Sequence, residues 1–209
     1  MTLISRTARF IWFVARHGAC CVALCSVAHA QNAPPNTAGS NAPSTLIQQM
    51  VGTWQVQQRM WPGVGAEAVN LAPAVARRRL IAGAYLEEVM QPIKRAAKES
   101  FVRTAYFNYN AVNQQYEYFS LDTRAPQMMN ERSDKTAQQG KPDSGAIKLQ
   151  GGSFVAPQWG AATNVAFTYR LTVGGIENDR QVVQLYLTPQ AGENAKEFLA
   201  FEYVYTRKR

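Results

Sequence analysis

Cysteine and histidine are nearly absent from this chain of 209 residues. The few that occur all lie within the first thirty residues, at His17, Cys20, Cys21, Cys25 and His29. If that segment is removed, the remaining chain lacks the donors for disulfides, Cys/His zinc sites, histidine-based catalytic triads and histidine-ligated haem. We therefore predict no cofactor and no zinc, copper or iron–sulfur centre in the mature chain, and we assign no catalytic residue.

Long apolar runs are missing as well. An acid-free segment with three arginines, residues 1–17, precedes an apolar run over residues 18–27 and a small-x-small site ending at Ala30. This order is typical of a secretory signal peptide. The apolar run is about half the roughly 20 residues that a membrane-spanning helix needs. We therefore predict a signal peptide over residues 1–30 and a protein that is periplasmic or secreted.

The rest of the chain divides into a spacer and one domain. Residues 31–43 contain Pro, Asn, Gly, Ser and Ala without a large apolar side chain, which predicts a flexible spacer. Residues 44–209 are long enough to bury one core and are predicted to form a single β-barrel domain.

The excess of basic over acidic residues is moderate. The formal net charge is +8, and removing Arg6, Arg9 and Arg16 with the signal peptide leaves +5. Because a secreted protein does not meet chromosomal DNA, we expect no nucleic-acid partner. The basic clusters at residues 77–79 and 207–209 allow weak contact with an anionic membrane surface.

Short runs of β-branched and aromatic residues alternate with Gly, Pro, Asn and Asp clusters from Gly52 onwards. This pattern predicts an all-β fold of antiparallel strands joined by hairpins, after a short helical turn over residues 44–50. The ten strands are predicted at residues 53–61, 74–81, 84–91, 100–109, 115–121, 127–133, 146–150, 163–173, 180–188 and 197–206. Long loops are predicted at residues 134–145 and 151–162, and the second carries an exposed Trp159.

A sheet of ten hairpin-linked strands exposes two edges unless it closes. Closure therefore predicts an antiparallel up-and-down barrel. A barrel of this size has room for one small ligand.

The segment VGTW, residues 51–54, follows the helical turn and opens the first strand. It resembles the Gly-x-Trp start of the calycins, which include lipocalins, fatty-acid-binding proteins and nitrobindin-like barrels. The resemblance implies that the Trp54 indole closes the bottom of the barrel and that an arginine near the end of the chain, here Arg207, lies across it. An arginine over a tryptophan ring stabilises a fold by about 0.5–2 kcal/mol.

Longer segments look like the bacterial family known as domain of unknown function 1579. These segments are GTWQVQQRMWPG, RLIAGAYLEE, FNYNAVNQQYEYFSLD and EYVYTRK. The chain departs from the family pattern at residues 81–83 and 108–110, and Ser120 stands where members have a second Trp, although Asp122 remains. The resemblance supports the calycin-like barrel and implies no established activity, and a family site near that Trp and Asp would be altered here.

Aromatic and methionine side chains are the main candidates for contact with a ligand. The run over residues 163–173 alternates large apolar with small or polar residues, which predicts one face inside the barrel. The predicted lining residues are Tyr106, Tyr118, Met128, Phe167, Tyr169 and Leu171. Such residues form an adaptable apolar pocket with polar tips, so we predict binding of a small apolar or amphipathic molecule. Tyrosine ligation of haem is a weaker alternative.

Arg78 is a further candidate, as an anchor for a ligand carboxylate. The favoured alternative is local, because a hairpin turning at residues 82–83 would pair Arg78 with Glu87 and Arg77 with Glu88 across two strands. Both interpretations stay open at the level of sequence.

Asp122 and Glu131 offer a second constellation, because they are predicted near the facing ends of adjacent strands. Paired carboxylates there would suit acid–base catalysis. Ion pairs with Arg124 and Arg132 are the favoured alternative. An enzyme using carboxylate, Tyr or Lys groups and a non-catalytic envelope accessory protein therefore remain alternatives to the ligand-binding barrel.

The processing prediction has a direct test. Because the small-x-small site ends at Ala30, the secreted protein is expected to begin at Gln31. Intact mass of protein recovered from the periplasm or medium measures the new terminus. A secreted chain that retains residues 20–25 would overturn both the predicted compartment and the prediction that the mature chain contains no cysteine.

Overall fold

Ten antiparallel strands close into a barrel. The computed structural model describes residues 43–93, 100–135, 145–159, 162–190 and 195–209. Its elements are α1 (Pro43–Met50), β1 (Gly52–Met60), β2 (Val69–Asn70), β3 (Ala74–Ile81), β4 (Tyr85–Pro92), β5 (Arg103–Asn110), β6 (Gln115–Asp122), β7 (Ala125–Ser133), β8 (Ala146–Trp159), β9 (Ala162–Gly174), β10 (Arg180–Pro189) and β11 (Phe198–Arg207). Strands from β3 onwards pair in chain order, and β1 pairs with both β3 and β11. The predicted up-and-down barrel is confirmed, and the fold is compatible with that of calycins.

The predicted signal peptide and nearly all of the predicted spacer lie in residues 1–42, outside the described residues. Within the described ranges, no helix is long and apolar enough to cross a membrane.

The two-residue strand β2 was not predicted. It pairs with Arg59 and Met60 at the end of β1, while β3 pairs with the beginning of β1. Between them the amide of Leu71 donates to the Gln58 carbonyl at 3.0 Å, and the Gln58 side-chain amide donates to the Ala72 carbonyl at 2.7 Å. The ladder breaks next to Pro73, which has no N–H to donate. Strands β2 and β3 therefore pair with successive parts of the same strand, β1.

Strand β8 corrects the predicted loop over residues 151–162 as far as Trp159, and residues 160–161 lie outside the described residues. It runs without a break from Ala146 to Trp159 and pairs with β9, with a register shift between Gln150 and Ser153. Gly151 and Gly152 lie at this shift and form a bulge inside the strand. A Cβ on Gly151 would lie 1.9 Å from a carbon of the Tyr169 ring, so glycine lets that ring pack directly on the strand.

Trp159 is half-buried rather than exposed on a loop, which is a second correction. Its indole nitrogen donates to the Pro62 carbonyl at 2.6 Å. Its ring packs edge-on against Phe167 and Phe198, with ring centres 5.4 and 6.3 Å apart. The indole therefore belongs to the apolar interior and holds the segment after β1 against β8.

Helix α1 packs against one end of the barrel through its buried residues Ile47 and Met50. The last carbonyls of a helix have no partner within it. Here two strand side chains supply the missing donors, because the Trp54 indole donates to the Met50 carbonyl at 2.9 Å and Arg207 donates to the Gln49 carbonyl at 2.5 Å. The helix end is thus joined to the first and last strands.

Arg207 also lies across Trp54, with its guanidinium carbon 4.1 Å from the centre of the ring. The same guanidinium donates to the Val51 carbonyl at 2.6 Å and to Asp179 at 3.1 Å. Gly52 permits this approach, because its φ is +135° and a Cβ there would lie 2.7 Å from Arg207 Nη1. The contact implied by the calycin resemblance is therefore present, and it explains the glycine of Gly-x-Trp.

This end of the barrel has a measurable energetic role. Trp54 is fully buried, so Trp54→Ala is expected to lower the free energy of unfolding by about 3–5 kcal/mol. Arg207→Ala is expected to lower the free energy of unfolding by less, about 1–2 kcal/mol, because it removes one contact with an aromatic ring and hydrogen bonds that are only partly shielded from solvent. Urea denaturation measures both. Val112→Ala, at a position 92% exposed, is the control; a Trp54→Ala effect no larger than that control would contradict the assigned role.

Candidate functional site

A cavity of about 590 Å³ occupies the part of the barrel away from α1. This volume lies within the roughly 300–1,000 Å³ of pockets that bind small molecules. It is lined by the strand ends opposite α1, including Met60, Asp122 and Trp159. The interior is therefore not filled by side chains at this end.

The wall of the cavity has two chemically different sides. On β8–β11 the lining is mainly apolar, with Phe154, Ala156, Leu171, Leu185, Leu187 and Phe201. On β5–β7 most of the lining is polar, with Arg103, Tyr118, Ser120, Asp122, Gln127 and Glu131. We call this second group the polar stripe. A guest that matched both sides would be largely apolar with one polar end.

Below the cavity, a buried cluster of charges centres on Glu88. Arg78 Nε donates to Glu88 Oε2 at 2.7 Å, and Arg103 Nη1 donates to Glu88 Oε1 at 2.7 Å. The Tyr205 hydroxyl donates to the same Oε1 at 3.2 Å. All three charged residues are about 5% exposed. One carboxylate therefore serves two guanidinium groups, and the cluster carries a net charge of +1.

The charges in this cluster stay ionised although they are buried. Burial acts to raise the pKa of Glu88, but the charges of Arg78 and Arg103 outweigh it and hold the pKa below its ordinary value. Ring faces supplement the hydrogen bonds, since the Arg78 guanidinium carbon lies 4.0 Å from the Tyr205 ring centre and that of Arg103 lies 5.3 Å from the Tyr203 ring centre. Arg78 also donates to Gln181 at 2.6 Å.

Arg103 connects this cluster to the cavity. Besides its bond to Glu88, it donates through Nη2 to the Tyr118 hydroxyl, and both side chains line the cavity. A positive charge thus lies at the floor of a largely apolar space. Such a charge favours an anionic or hydrogen-bond-accepting group on a guest.

Glu131 is a buried titratable group of the polar stripe, and its environment differs from that of Glu88. It is 1% exposed, and neither carboxyl oxygen has a hydrogen-bond partner among the described residues. Burial raises the pKa of Glu131 to about 8, although the nearby charge of Arg103 acts to lower it. At neutral pH this side chain is therefore mostly a neutral acid, able to donate one hydrogen bond.

Arg124 lies in the β6–β7 turn and reaches across the barrel. It forms an ion pair with Asp122, with Nη2 2.6 Å from Oδ2, and it donates from Nη1 to Gln58 on β1 at 3.1 Å. Its guanidinium carbon lies 3.7 Å from the centre of the Phe101 ring. Arg124 and Asp122 both line the cavity, so this pair places charge at the end away from α1.

The residues predicted to line the cavity fall into three groups. Tyr118 and Leu171 do line it. Phe167 and Tyr169 face inwards and are buried, but they are not among the residues that line the cavity. The Tyr169 hydroxyl contacts the backbone of Asn130 on β7.

Tyr106 and Met128 point outwards, so their predicted inward orientation is wrong. Tyr106 stacks on Phe119 on the outer surface, and Met128 is 73% exposed. The reason is strand parity, because the neighbours Ala105 and Phe107 are the buried residues of β5. On β7 it is Met129 that lines the cavity.

The predicted ion pairs of Arg78 and Arg77 are also corrected. The turn between β3 and β4 contains three residues, so Arg78 lies opposite Glu88 and Arg79 opposite Glu87. The change of one residue puts Arg78 and Glu88 together inside the barrel. Arg78 is consequently a member of the buried cluster and does not line the large cavity.

Asp122 and Glu131 do not form the hypothesised carboxylate pair. Glu131 lies opposite Tyr118, four residues from Asp122 along β6, which is about 13 Å at the usual rise of a strand. Asp122 instead pairs with Arg124, as the favoured interpretation held, whereas neither carboxyl oxygen of Glu131 has a hydrogen-bond partner among the described residues, so its expected ion pair with Arg132 is wrong. Within the described residues, no group of three or more His, Cys, Asp or Glu side chains is placed to hold a metal ion.

Arg103 and Ser120 are among the lining residues that were not recognised from sequence as part of a ligand site. Arg103 shares a strand face with Ala105 and Phe107. The sequence signal that could have identified it is a single charged residue on the otherwise apolar, inward-facing side of this strand. Ser120 lines the cavity at the position where the resembled family has Trp. Its small side chain leaves space that an indole would occupy.

Comparison of the chain with protein-family models and with curated proteins gives no match. The fold and the cavity nevertheless define a class of protein. It is a closed ten-stranded antiparallel barrel with an internal cavity, compatible with a calycin-like fold.

The buried cluster predicts an asymmetry between two adjacent glutamates. Glu88→Gln is expected to lower the free energy of unfolding by about 3–5 kcal/mol, because it leaves two buried guanidinium groups without a counter-charge. Glu87→Gln is the matched control, since Glu87 pairs with the exposed Arg79 and solvent screens that interaction. Denaturant unfolding at pH 7 measures both variants, and equal losses would rule out the assigned role of Glu88.

Proposed function

We propose that this protein binds a small, largely apolar molecule with one polar end inside the barrel. The observation that carries the proposal is the 590 Å³ cavity, whose apolar wall on β8–β11 faces the polar stripe on β5–β7. A ligand of this kind is desolvated along its apolar part, while its polar end meets Arg103 and Tyr118. Transport, storage or sensing of such a molecule in the periplasm or outside the cell is the role we propose.

Membership of the domain of unknown function 1579 family is part of the same proposal. It rests on the quoted segments, while the contact between Trp54 and Arg207, which the calycin resemblance implies, supports the broader barrel class. The replacement of the second Trp by Ser120 supports a cavity that is larger here than an indole at that position would allow. We therefore propose a ligand site particular to this chain rather than one carried over from the family.

The uncharged fluorescent probe N-phenyl-1-naphthylamine tests the proposal. Its emission rises in an apolar environment, so titration of the protein with the probe is expected to give saturable binding at one site. Ser120→Trp fills the cavity and is expected to weaken binding by about tenfold or more, a loss of about 1.4 kcal/mol. Ala156→Phe, on the opposite wall, is an independent variant with the same expected direction.

Ser153→Trp is the matched control, because Ser153 is exposed on the bulged part of β8. Circular dichroism shows whether each variant keeps its fold. Folded cavity-filling variants that bind the probe as tightly as the control would contradict the proposal. Native mass spectrometry of protein from its own compartment, followed by extraction, identifies any retained lipid or metabolite.

A further inference from the structure

Glu131 is a buried carboxyl group without a structural hydrogen bond among the described residues. Both of its oxygens are buried and have no hydrogen-bond partner among the described residues, yet the residue lines the cavity. A buried polar group without a partner costs free energy, so such a group in a native protein calls for an explanation. A polar group of a guest in the same cavity would supply the missing partner.

The surroundings of Glu131 define what that partner would be. Tyr118 lies opposite it on β6 and accepts a hydrogen bond from Arg103, whose charge acts on Glu131. Burial raises the pKa of Tyr169 on β9, and the charge of Glu131 acts in the same direction. On the far side of Arg103, the carboxylate of Glu88 is already shared by two guanidinium groups.

The charge balance favours an anion. Arg78 and Arg103 carry two positive charges against one negative charge on Glu88 when Glu131 is protonated. A neutral carboxyl also donates a hydrogen bond, so Arg103 and Glu131 together offer donors to an acceptor-rich group. Ionised Glu131 would cancel the excess positive charge and would also repel an anion.

We propose that the ligand is an amphiphile with a carboxylate head, that the head lies between the Arg103 guanidinium and a protonated Glu131, and that its binding is therefore linked to a proton. This inference rests on the proposed function and specifies its ligand class. The ligand's apolar tail lies along β8–β11, against side chains such as Leu171 and Leu187. Glu131 is then a specificity-determining residue, because its protonation state decides which head-group charge is accepted.

The sign of the pH dependence follows from the same arrangement. The pKa of Glu131 is about 8 in the protein, whereas an aliphatic carboxylate ligand is ionised throughout the range from pH 6 to pH 9. Burial raises the pKa of the Tyr118 and Tyr169 hydroxyls, so these neighbours stay neutral across that range. Affinity for the anion is thus full below pH 7 and falls as the pH rises through 8. Between pH 7 and pH 9 the fall is expected to be about tenfold.

Displacement of N-phenyl-1-naphthylamine by three ten-carbon amphiphiles tests the inference. The compounds are decanoate, 1-decanol and decyltrimethylammonium, which share a chain and differ in head-group charge. Decanoate is expected to displace the probe at least tenfold better than decyltrimethylammonium at pH 6.5 and to lose about tenfold in affinity by pH 9. The other two compounds are expected to show no such loss.

Glu131→Gln separates the proton from the shape of the side chain. It keeps a neutral donor of the same size, so decanoate binding is expected to persist at pH 7 and to become independent of pH. Glu67→Gln, on the exposed segment after β1, is the matched control and is expected to keep the tenfold loss. Calorimetry of the wild type in two buffers of different ionisation enthalpy is expected to show proton uptake on decanoate binding near pH 8.5.

The outcomes distinguish failure of the inference from failure of the proposed function. The inference is wrong and the proposed function stands if the probe and 1-decanol bind but decanoate does not. The same holds if the affinity for decanoate does not change with pH. If decyltrimethylammonium binds best, with affinity that grows above pH 8, Glu131 recognises a cation and the inference is also wrong. If neither the probe nor any of the three amphiphiles binds, the proposed function itself fails.

Discussion

The sharing of one buried carboxylate by two guanidinium groups organises the interior of this barrel. Glu88 accepts from Arg78 and Arg103 at 2.7 Å each, and the three side chains come from three consecutive strands. Tyr205 on β11 and Gln181 on β10 complete the cluster from the other side of the closure. Because buried charges are tolerated when they are paired and hydrogen-bonded, these contacts restrict how the strands can be placed relative to one another.

The cluster also decides where the barrel is filled and where it is hollow. Towards α1, the space is taken up by paired charges and by rings such as Trp54 and Tyr205, whose centres are 6.5 Å apart. Away from α1, the inward residues include small ones such as Ser120 and Ala156, and a cavity remains. Arg103 belongs to both regions, so the cavity receives a positive charge at the border with a well-packed polar core.

Glu131 and Glu88 illustrate how position changes the chemistry of one residue type. Both are buried glutamates on inward-facing positions of neighbouring parts of the sheet. Two guanidinium groups hold the pKa of Glu88 below its ordinary value, whereas burial without a partner raises that of Glu131 to about 8. The first carboxylate stabilises the fold, and the second remains available to a guest.

The strand pattern and the closure were predictable from the sequence, because alternation of large apolar and polar residues is a local property of each strand. The contact between Trp54 and Arg207 was implied by the calycin resemblance. The cavity and its charges depended on tertiary structure. A three-residue turn between β3 and β4 moved Arg78 from Glu87 to Glu88, and this shift of one residue is invisible to composition. The bulge at Gly151 turned a predicted loop into a strand, and strand parity placed Met129 rather than Met128 inside. Sequence determines which residues can share a face, whereas register between strands decides which faces meet, and register is set by the closed barrel as a whole.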